Sequence, residues 1–322
     1  MNKKDIQPSE FKTILHSKRA NIYYLEKCRV MQKDGRILYL TAAKDQNLYW
    51  NIPIGNTTVI LLGTGTSITQ AAVRMLSQAG VLVGFCGGGG APLYAGTAIE
   101  WMTPQSEYRP TEYVQGWLSF WFNDEKRLLA AKELQKMRCE YFCDVWEKDR
   151  ELAQHQFFID DMELENSINK YDREIDAAKQ VTELLSAEAH FTKALYKYAA
   201  RKTEQGDFKR EHNSTDKANG FLDHGNYLAY GLAATALWVL GIPHGFALMH
   251  GKTRRGALVF DIADLIKDAI VLPQAFICAK NNLRDNDFRQ ICLVKFTEHK
   301  ALDYMFDKIE KLSRLKFAEV PE

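Results

Sequence analysis

The sequence predicts an α+β protein, with a small β-rich N-terminal domain followed by a larger all-α C-terminal domain. Three observations support this prediction. Short apolar segments of strand character fill the N-terminal third of the chain, and helical periodicity dominates the rest. Between the two parts, Pro104 and Pro110 stand in polar surroundings. We therefore expect one domain over residues 1–104 and another over residues 105–322.

The N-terminal domain is predicted to form a sheet after a short helical lead over residues 1–20. β-Branched and aromatic residues favour strands in five segments, which are residues 21–25, 28–32, 36–40, 49–54 and 57–62. Residues 33–35, with the sequence Lys-Asp-Gly, supply a hairpin turn between the second and third segments.

A glycine-containing segment follows and invites comparison with a phosphate-binding loop. Residues 63–66 lack the Gly-Lys-Ser/Thr ending of such a loop, so we interpret them as a turn. Ser67 is expected to cap a helix over residues 68–78, whose apolar residues recur at helical spacing. Residues 81–85 are predicted to form a buried strand, and the four glycines at 87–90 a loop.

Nearly all of the C-terminal domain is predicted to be helical. One or two long helices cover residues 111–146, and further helices cover residues 181–201 and 222–240. Residues 205–220 have the composition of a loop. The apolar stripes of the first segment are typical of a core more than of a base-stacking surface, and they carry Trp117, Phe120, Trp121, Leu128, Leu129 and Leu134.

The composition is that of a globular protein. Hydrophobic residues make up 46% of the chain and charged residues 26%. The N-terminus shows no signal-peptide core, and the longest apolar run, residues 227–242, is shorter than the ~20 residues that span a membrane. We therefore expect a cytoplasmic protein that does not enter a membrane. The six cysteines form no Cys-x-x-Cys pair, which favours reduced thiols.

Charge is unevenly distributed along the chain, although the formal net charge is only +1. Residues 124–176 are strongly acidic. Residues 193–255, in contrast, contain ten lysines and arginines but only five acidic residues. Because the overall charge does not favour nonspecific binding of nucleic acid, such binding would depend on this local basic segment.

The basic segment leads into the stretch with the clearest chemistry, residues 250–268. If that stretch is helical from Asp261 onwards, then Asp261, Asp264 and Asp268 fall within an arc of about 60°. Carboxylates on one stripe repel each other unless a cation neutralises them. Their oxygens suit a hard divalent cation, with His250 as a nitrogen ligand. The spacing also permits a simpler interpretation, in which Asp261 caps the helix and Asp268 faces solvent.

Several motifs resemble those of the CRISPR-associated integrase family, the DNA nucleases and integrases of spacer acquisition. His-Gly-Lys at residues 250–252, followed by Phe-Asp-Ile-Ala-Asp-Leu-Ile-Lys at residues 260–267, resembles the signature of this family. Further matches follow the family's order along most of the chain, at residues 67–70, 81–90, 188–189, 226–231 and 241–245. In detail the motifs are most similar to the type I-F branch.

The resemblance implies a metal centre formed by Glu188, His250 and Asp264, with Asp261 as an accompanying catalytic carboxylate. The implied cofactor is one Mg²⁺ or Mn²⁺, and a mixed set of carboxylates and imidazole is compatible with either ion. Nearby cations are implied to hold DNA phosphates, namely Lys252, Arg254 and Arg255, together with Lys209 and Arg210 of the 205–220 loop.

The activity implied by the resemblance is that of a metal-dependent DNA endonuclease and integrase in prokaryotic antiviral adaptation. The 3′-hydroxyl ends of a captured spacer-precursor duplex would attack phosphodiesters at a CRISPR repeat boundary. The helical domain would then be catalytic, and the β-rich domain would form a homodimer. An adaptation partner protein, fused in this branch to a helicase-nuclease, is also implied. Phe260 departs from those relatives that carry tyrosine there, so no role of a hydroxyl group is implied at this position.

Two other functions are compatible with the residues considered without the resemblance. A helical, metal-dependent phosphohydrolase could act on small phosphate esters, although such a substrate needs fewer cations than residues 193–255 provide. A non-catalytic scaffold could use the carboxylates as helix caps. The salt dependence of DNA binding separates the first alternative from an integrase, and the activity of an Asp264→Ala variant separates the second.

Overall fold

The computed structural model describes residue 19 and residues 21–43, 46–86, 99–103, 110–211, 216–251 and 256–317. The helical lead predicted for residues 1–20 lies outside the described residues, apart from Arg19. The loop predicted for residues 87–90 and the domain boundary predicted at residue 104 lie outside them as well.

The N-terminal part forms two four-stranded sheets. Its described strands, β1 to β8, are Asn21–Leu25, Cys28–Lys33, Arg36–Ala43, Gln46–Ile52, Thr57–Leu62, Ser67–Ile68, Leu82–Phe85 and Glu100–Met102. The first sheet has the order β1-β5-β7-β8, in which the first three strands are parallel and β8 is antiparallel. The second has the order β4-β3-β2-β6, and its β2–β3 hairpin turns between Lys33 and Arg36, as predicted.

The C-terminal part is helical, which confirms the predicted α+β class. The described α-helices, α1 to α11, are Gln70–Gln78, Glu112–Trp121, Asp124–Lys148, Arg150–Gln154, Met162–Ala177, Val181–Lys202, Lys217–Val239, Ala257–Ile266, Leu272–Lys280, Asp285–Glu298 and Ala301–Ser313. A π-helical turn, Lys267–Val271, joins α8 directly to α9. None of the described helices is long and apolar enough to cross a membrane.

Strand β5 separates two apolar cores. Ile60 and Leu62 face the second sheet, whereas Val59 and Leu61 face the helices. This division follows from the alternation of side chains along a strand. Helix α7 comes close to β5 at Gly231, where a Cβ atom would lie 2.9 Å from the Val59 side chain. The first sheet therefore forms one wall of the helical core.

The apolar stripes predicted for residues 111–146 are mostly buried. Trp117 and Phe120 of α2 and Leu134 of α3 are enclosed. The prediction is wrong for Leu129, which is 49% exposed. All six cysteines are free thiols, and four of them are buried. Helix α3 is thus packed into the molecule along much of its length, although it belongs to the strongly acidic segment of residues 124–176.

The helix cap predicted at Ser67 is wrong. Ser67 lies in the short strand β6, where it pairs with Arg29 of β2. The cap is Thr69 instead, because its hydroxyl accepts a hydrogen bond from the Ala72 amide at 3.3 Å. Both hydroxyl residues suit a helix start, and the pairing of β6 with β2 decides between them.

The loop predicted for residues 205–220 ends earlier than expected. Helix α7 begins at Lys217, and the Asp216 carboxylate caps it by accepting a hydrogen bond from the Asn219 amide at 2.9 Å. Aspartate is among the favoured N-cap residues, so the signal was present within a segment of loop-like composition.

Candidate metal centre

Three side chains from distant parts of the chain meet beside helix α8. Glu188 lies on α6, His250 lies in the segment that precedes α8, and Asp264 lies on α8. Each offers one potential ligand atom, and these three atoms all lie within 4.8 Å of one another. The structure therefore brings together the three residues predicted as metal ligands.

Asp261 lies behind His250 and orders the segment that carries it. Its Oδ2 accepts hydrogen bonds from the amides of Leu248 (2.6 Å) and Met249 (3.2 Å), and its Oδ1 accepts one from the His250 amide (3.2 Å). The same Oδ1 lies 2.6 Å from the His250 Nδ1. The imidazole therefore donates from Nδ1 and directs Nε2 towards Asp264 Oδ2, at 3.9 Å. Asp261 lies inside α8 and does not cap it.

Asp264 is buried at the centre of the site. Its Oδ1 accepts no hydrogen bond from the described residues, although the Lys267 ammonium forms an ion pair with it. The Lys267 nitrogen also lies 5.6 Å from the centre of the Tyr230 ring. Burial raises the pKa of Asp264, but Lys267 and His250 lower it more, so the pKa lies below its usual value.

The third carboxylate of the predicted stripe, Asp268, has a different partner. It is buried in the π-helical turn, where Arg138 of α3 donates to its Oδ2 from Nε at 2.7 Å. The helix predicted from Asp261 thus begins earlier, at Ala257, and changes its winding at Lys267. Each of the three carboxylates therefore has its own N–H or positively charged partners within the protein.

Burial affects the other two members of the site in opposite directions. It raises the pKa of Glu188; the Arg138 guanidinium opposes this shift and the Asp264 carboxylate adds to it, so the pKa lies above its usual value. Burial lowers the pKa of His250, but the bond to Asp261 and the charge of Asp264 raise it more. Two buried carboxylates next to each other are stabilised by any cation that binds between them.

These residues fit a divalent cation. Four carboxylates (Glu188, Asp261, Asp264 and Asp268) face two permanent cations, Arg138 and Lys267. With a neutral His250, two negative charges remain uncompensated. Because both oxygens of Asp261 are already engaged, the atoms best placed to hold a cation belong to Glu188, His250 and Asp264, a donor set suited to Mg²⁺ or Mn²⁺.

The residues predicted to bind DNA have mixed positions. Lys252, Arg254 and Arg255 lie outside the described residues. Lys209 is exposed and forms a surface ion pair with Glu211 at 3.1 Å. Arg210, in contrast, is half-buried and donates to Asp223 and Asn219, which lie on α7. It therefore fastens the segment before α7 to that helix.

Sequence reasoning missed Arg138, Thr192 and Lys267. Lys267 lies three residues after Asp264 on the same helical stretch, so the i, i+3 spacing could have predicted their ion pair. Arg138 lies in a predicted helix that carries many charged residues. Its partners Glu188 and Asp268 are 50 and 130 residues away, and no local pattern indicates them.

A second group, which we call the Lys295 cluster, surrounds the buried Asp149 and Lys295 and reaches the surface at Glu298. Its residues are Asp149, Glu151, Lys295, Glu298 and His299. Potential ligand atoms of Asp149, Glu298 and His299 again lie within 4.8 Å of one another. Here, however, the Lys295 ammonium contacts Asp149 Oδ2 at 2.8 Å and oxygens of Glu151 and Glu298 at 3.2 Å each. One ammonium group thus already contacts all three carboxylates.

Comparison with known proteins gives a consistent result. A family model described as CRISPR associated protein Cas1 matches residues 22–300. A CRISPR-associated endonuclease Cas1 of Pseudomonas aeruginosa is 54% identical, over 96% of this chain and 98% of the relative. The protein of the same name from Pectobacterium atrosepticum is 53% identical, over 95% of this chain and 96% of the relative.

Solved structures share the fold at low sequence identity. A Cas1 protein from Thermotoga maritima superposes with a TM-score of 0.72 at 18% identity, covering 91% of this chain and 96% of that chain. A TtCas1–DNA complex gives a TM-score of 0.65 at 21% identity, with coverage of 94% and 95%. A casposase bound to an integration product gives 0.63 at 15% identity, with coverage of 86% and 82%.

Proposed function

The chain belongs to the CRISPR-associated Cas1 family, and we propose that it is a metal-dependent DNA endonuclease and integrase that inserts captured spacers into a CRISPR array. Two relatives that are more than 50% identical in sequence are named endonucleases. One structure with a similar fold is a complex with DNA, and another is bound to an integration product. The proposal rests mainly on one observation. Glu188, His250 and Asp264 lie on three separate segments of the chain, and their side chains meet at one buried, negatively charged site.

Glu188, His250 and Asp264 would hold one Mg²⁺ or Mn²⁺. Such an ion would supply positive charge that makes a DNA 3′-hydroxyl or a water more acidic and that offsets the negative charge developing on the attacked phosphate. Asp261 keeps the Nε2 atom of His250 directed at the site through the bond to Nδ1. Its three backbone hydrogen bonds fix the peptide that carries the imidazole, so the ligands are ordered before DNA binds.

The proposed reaction is a strand transfer between DNA molecules. The 3′-oxygen of the captured duplex forms a bond to a phosphorus atom at the repeat boundary, and the bond from that phosphorus to the 3′-oxygen of the repeat strand breaks. The attacking hydroxyl loses its proton and the leaving 3′-oxygen gains one. Since one phosphodiester replaces another, no nucleotide triphosphate is needed. Attack by water at the same site gives endonuclease cleavage.

Four lysines and arginines would bind the DNA backbone. We assign this role to Lys252, Arg254 and Arg255, which lie two to five residues after His250 in the sequence, and to the exposed Lys209. Arg210 forms buried contacts with α7, so its contribution to DNA binding would come through the position of Lys209.

We further propose that the β-rich part forms a homodimer and that the dimer assembles with an adaptation partner protein, which in the type I-F branch is fused to a helicase-nuclease. Strand β4 supports the first point. Leu48, Tyr49 and Trp50 are 42%, 51% and 50% exposed on this strand, and β4 lies at an edge of the second sheet. Consecutive exposed apolar side chains on an edge strand favour association with another protein surface.

Asp264→Ala tests the catalytic proposal. Loss of a central ligand should reduce Mn²⁺-dependent strand transfer at least ~100-fold, because ion binding is worth several kcal/mol to the transition state. The assay joins a labelled duplex with free 3′-hydroxyls to a plasmid that carries a repeat. Asp307→Ala removes an exposed carboxylate of α11 and is the matched control. Full activity of the Asp264 variant, with its fold retained by circular dichroism, contradicts the proposal.

The salt dependence of DNA binding tests the substrate class. Binding of duplex DNA should weaken steeply with salt, and Lys209→Ala should reduce the slope of log K against log salt by about one, the value for one lost phosphate contact. A phosphohydrolase of small esters would instead bind DNA weakly, with a shallow slope.

A further inference from the structure

Arg138 is the most completely engaged side chain next to the metal centre. It lies on α3 with only 2% of its side chain exposed. Its Nη1 donates to Glu188 Oε1 at 2.7 Å, its Nε to Asp268 Oδ2 at 2.7 Å and its Nη2 to Thr192 Oγ1 at 3.0 Å. One guanidinium thus joins three structural elements: α3, α6 and the π-helical turn after α8.

These contacts restrict the Glu188 carboxylate. Glu188 and Thr192 lie one turn apart on α6, so the rigid fork of the guanidinium contacts that helix at two points. One carboxylate oxygen, Oε1, is bound by Arg138. The carboxylate is consequently held in one orientation beside His250 and Asp264, and Oε2 is the oxygen that Arg138 leaves available to an ion.

Asp268 stabilises the buried Arg138 guanidinium. A buried guanidinium with incomplete pairing is strongly destabilising, and the Asp268 carboxylate provides its second counter-charge through Nε and Nη2. Asp268 therefore continues the carboxylate row of Asp261 and Asp264 in sequence but is bound to Arg138 in space.

We propose that Arg138 is a positioning residue for Glu188, and that Asp268 acts through Arg138 and not as a metal ligand. This inference rests on the proposed function, because it concerns the same metal centre. It adds that an arginine on α3, outside every motif of the metal site, determines which Glu188 oxygen is available for the ion.

Simple electrostatics predicts the opposite effect of Arg138. A positive charge beside a cation site weakens ion binding, so its removal should strengthen binding if charge were the only contribution. If Arg138 instead positions Glu188, its removal should weaken ion binding. The sign of the change in Mn²⁺ affinity therefore distinguishes the two roles.

The experiment measures the Mn²⁺ Kd of the full chain from the electron paramagnetic resonance signal of free Mn²⁺. We expect Arg138→Gln to raise the Kd by about tenfold or more, as for other residues that orient metal ligands. Arg138→Lys keeps the charge but loses the fork, and it should also raise the Kd. A Kd that is unchanged or lower in both variants overturns the inference.

Two further variants separate positioning from loss of folding. Thr192→Val removes one hydrogen bond to Arg138 at nearly constant volume and should raise the Kd by roughly threefold. Asp149→Asn weakens a second ion cluster at the C-terminal end of α3, about 16 Å from Arg138, and should lower the Tm while it leaves the Kd unchanged. An equal loss of Mn²⁺ affinity in Asp149→Asn would reduce Arg138 to a general structural role.

The wild-type titration shows which proposal has failed. If the wild-type chain binds no Mn²⁺, the proposed function and the inference fail together. If the wild type binds Mn²⁺ and the Arg138 and Thr192 variants bind it equally well, only the inference fails.

Discussion

Two ion clusters lie along helix α3, and they contain the same kinds of residue. Near Arg138, carboxylates from α6 and α8 meet His250. At the C-terminal end of the helix, Asp149 meets Glu298 and His299 from α10 and the turn after it. Both groups combine carboxylates with an imidazole at distances that suit a metal ion. Residue types and distances alone therefore do not identify the metal centre.

The difference lies in the lysine of each cluster. Lys295 lies within 3.2 Å of three carboxylates, and Asp149 Oδ1 is further occupied by the amides of Glu151 and Leu152. In the metal centre, Lys267 pairs with Asp264. With neutral imidazoles, both clusters keep two uncompensated negative charges, so the clusters differ in geometry and not in net charge. The Lys267 ammonium pairs with one ligand of the metal centre, whereas the Lys295 ammonium lies among all three carboxylates of its cluster. We infer that a lysine placed among all the carboxylates excludes a metal from an otherwise suitable set of ligands.

Removal of the internal lysine should have the largest effect. We expect Lys295→Ala to lower the free energy of unfolding by about 2 to 3 kcal/mol, because the buried Asp149 loses a charged donor but keeps His299 and two backbone amides. Urea denaturation measures this change. If the lysine excludes a metal, Mn²⁺ should recover part of the lost stability by binding Asp149, Glu298 and His299. To exclude binding at the metal centre, this measurement uses the double variant Glu188→Ala/Lys295→Ala. If Mn²⁺ does not raise the Tm of this double variant, the inference that Lys295 excludes a metal is wrong.

Removal of a ligand from each cluster should affect Mn²⁺ binding very differently. Glu188→Ala is expected to raise the Mn²⁺ Kd by about 100-fold, the equivalent of roughly 2.7 kcal/mol, because it removes one of three protein ligands. Glu298→Ala is its counterpart in the Lys295 cluster and should leave the Kd unchanged. Isothermal titration calorimetry measures both values, and a comparable loss in the two variants would show that the clusters had been assigned wrongly.

A smaller effect is expected for the carboxylate behind His250. Asp261→Asn keeps the size of the side chain but weakens its bonds to Nδ1 and to the backbone, so Mn²⁺ affinity and strand transfer should each fall by about tenfold. The same change at Asp149, which contacts His299 at 2.7 Å in the other cluster, should affect neither measurement. If Asp261→Asn matched Glu188→Ala in severity, Asp261 would have to be a ligand itself.

The smallest effect concerns the acid stability of the Lys295 cluster. Burial raises the pKa of Asp149, but hydrogen bonds from His299 and Lys295 lower it more, so the net pKa lies well below its usual value. A depressed carboxyl pKa stabilises the fold above the unfolded value of about 3.9, and this stability is lost as the pH falls below it. The Tm of the wild type should therefore decrease more steeply below about pH 5 than that of Asp149→Asn. Parallel Tm curves would contradict this assignment.

Much of the fold was predictable because it depends on local patterns. The β2–β3 hairpin follows from its turn residues, and helices α2, α3 and α6 follow from their apolar spacing. The errors occurred where tertiary contacts decide between equivalent local choices. Ser67 and Thr69 can both cap a helix, for example, and the pairing of β6 with β2 selects Thr69.

For the site, the sequence by itself determined the kinds of ligand and, through its resemblance to a known family, the residues Glu188, His250 and Asp264. Only the tertiary structure decided which cation accompanies each carboxylate. Arg138 reaches Asp268 across 130 positions of the chain, and Lys295 reaches Asp149 across 146. Electrostatic energy depends on distances through space, and in a buried site these distances are set by the packing of helices that are remote in sequence.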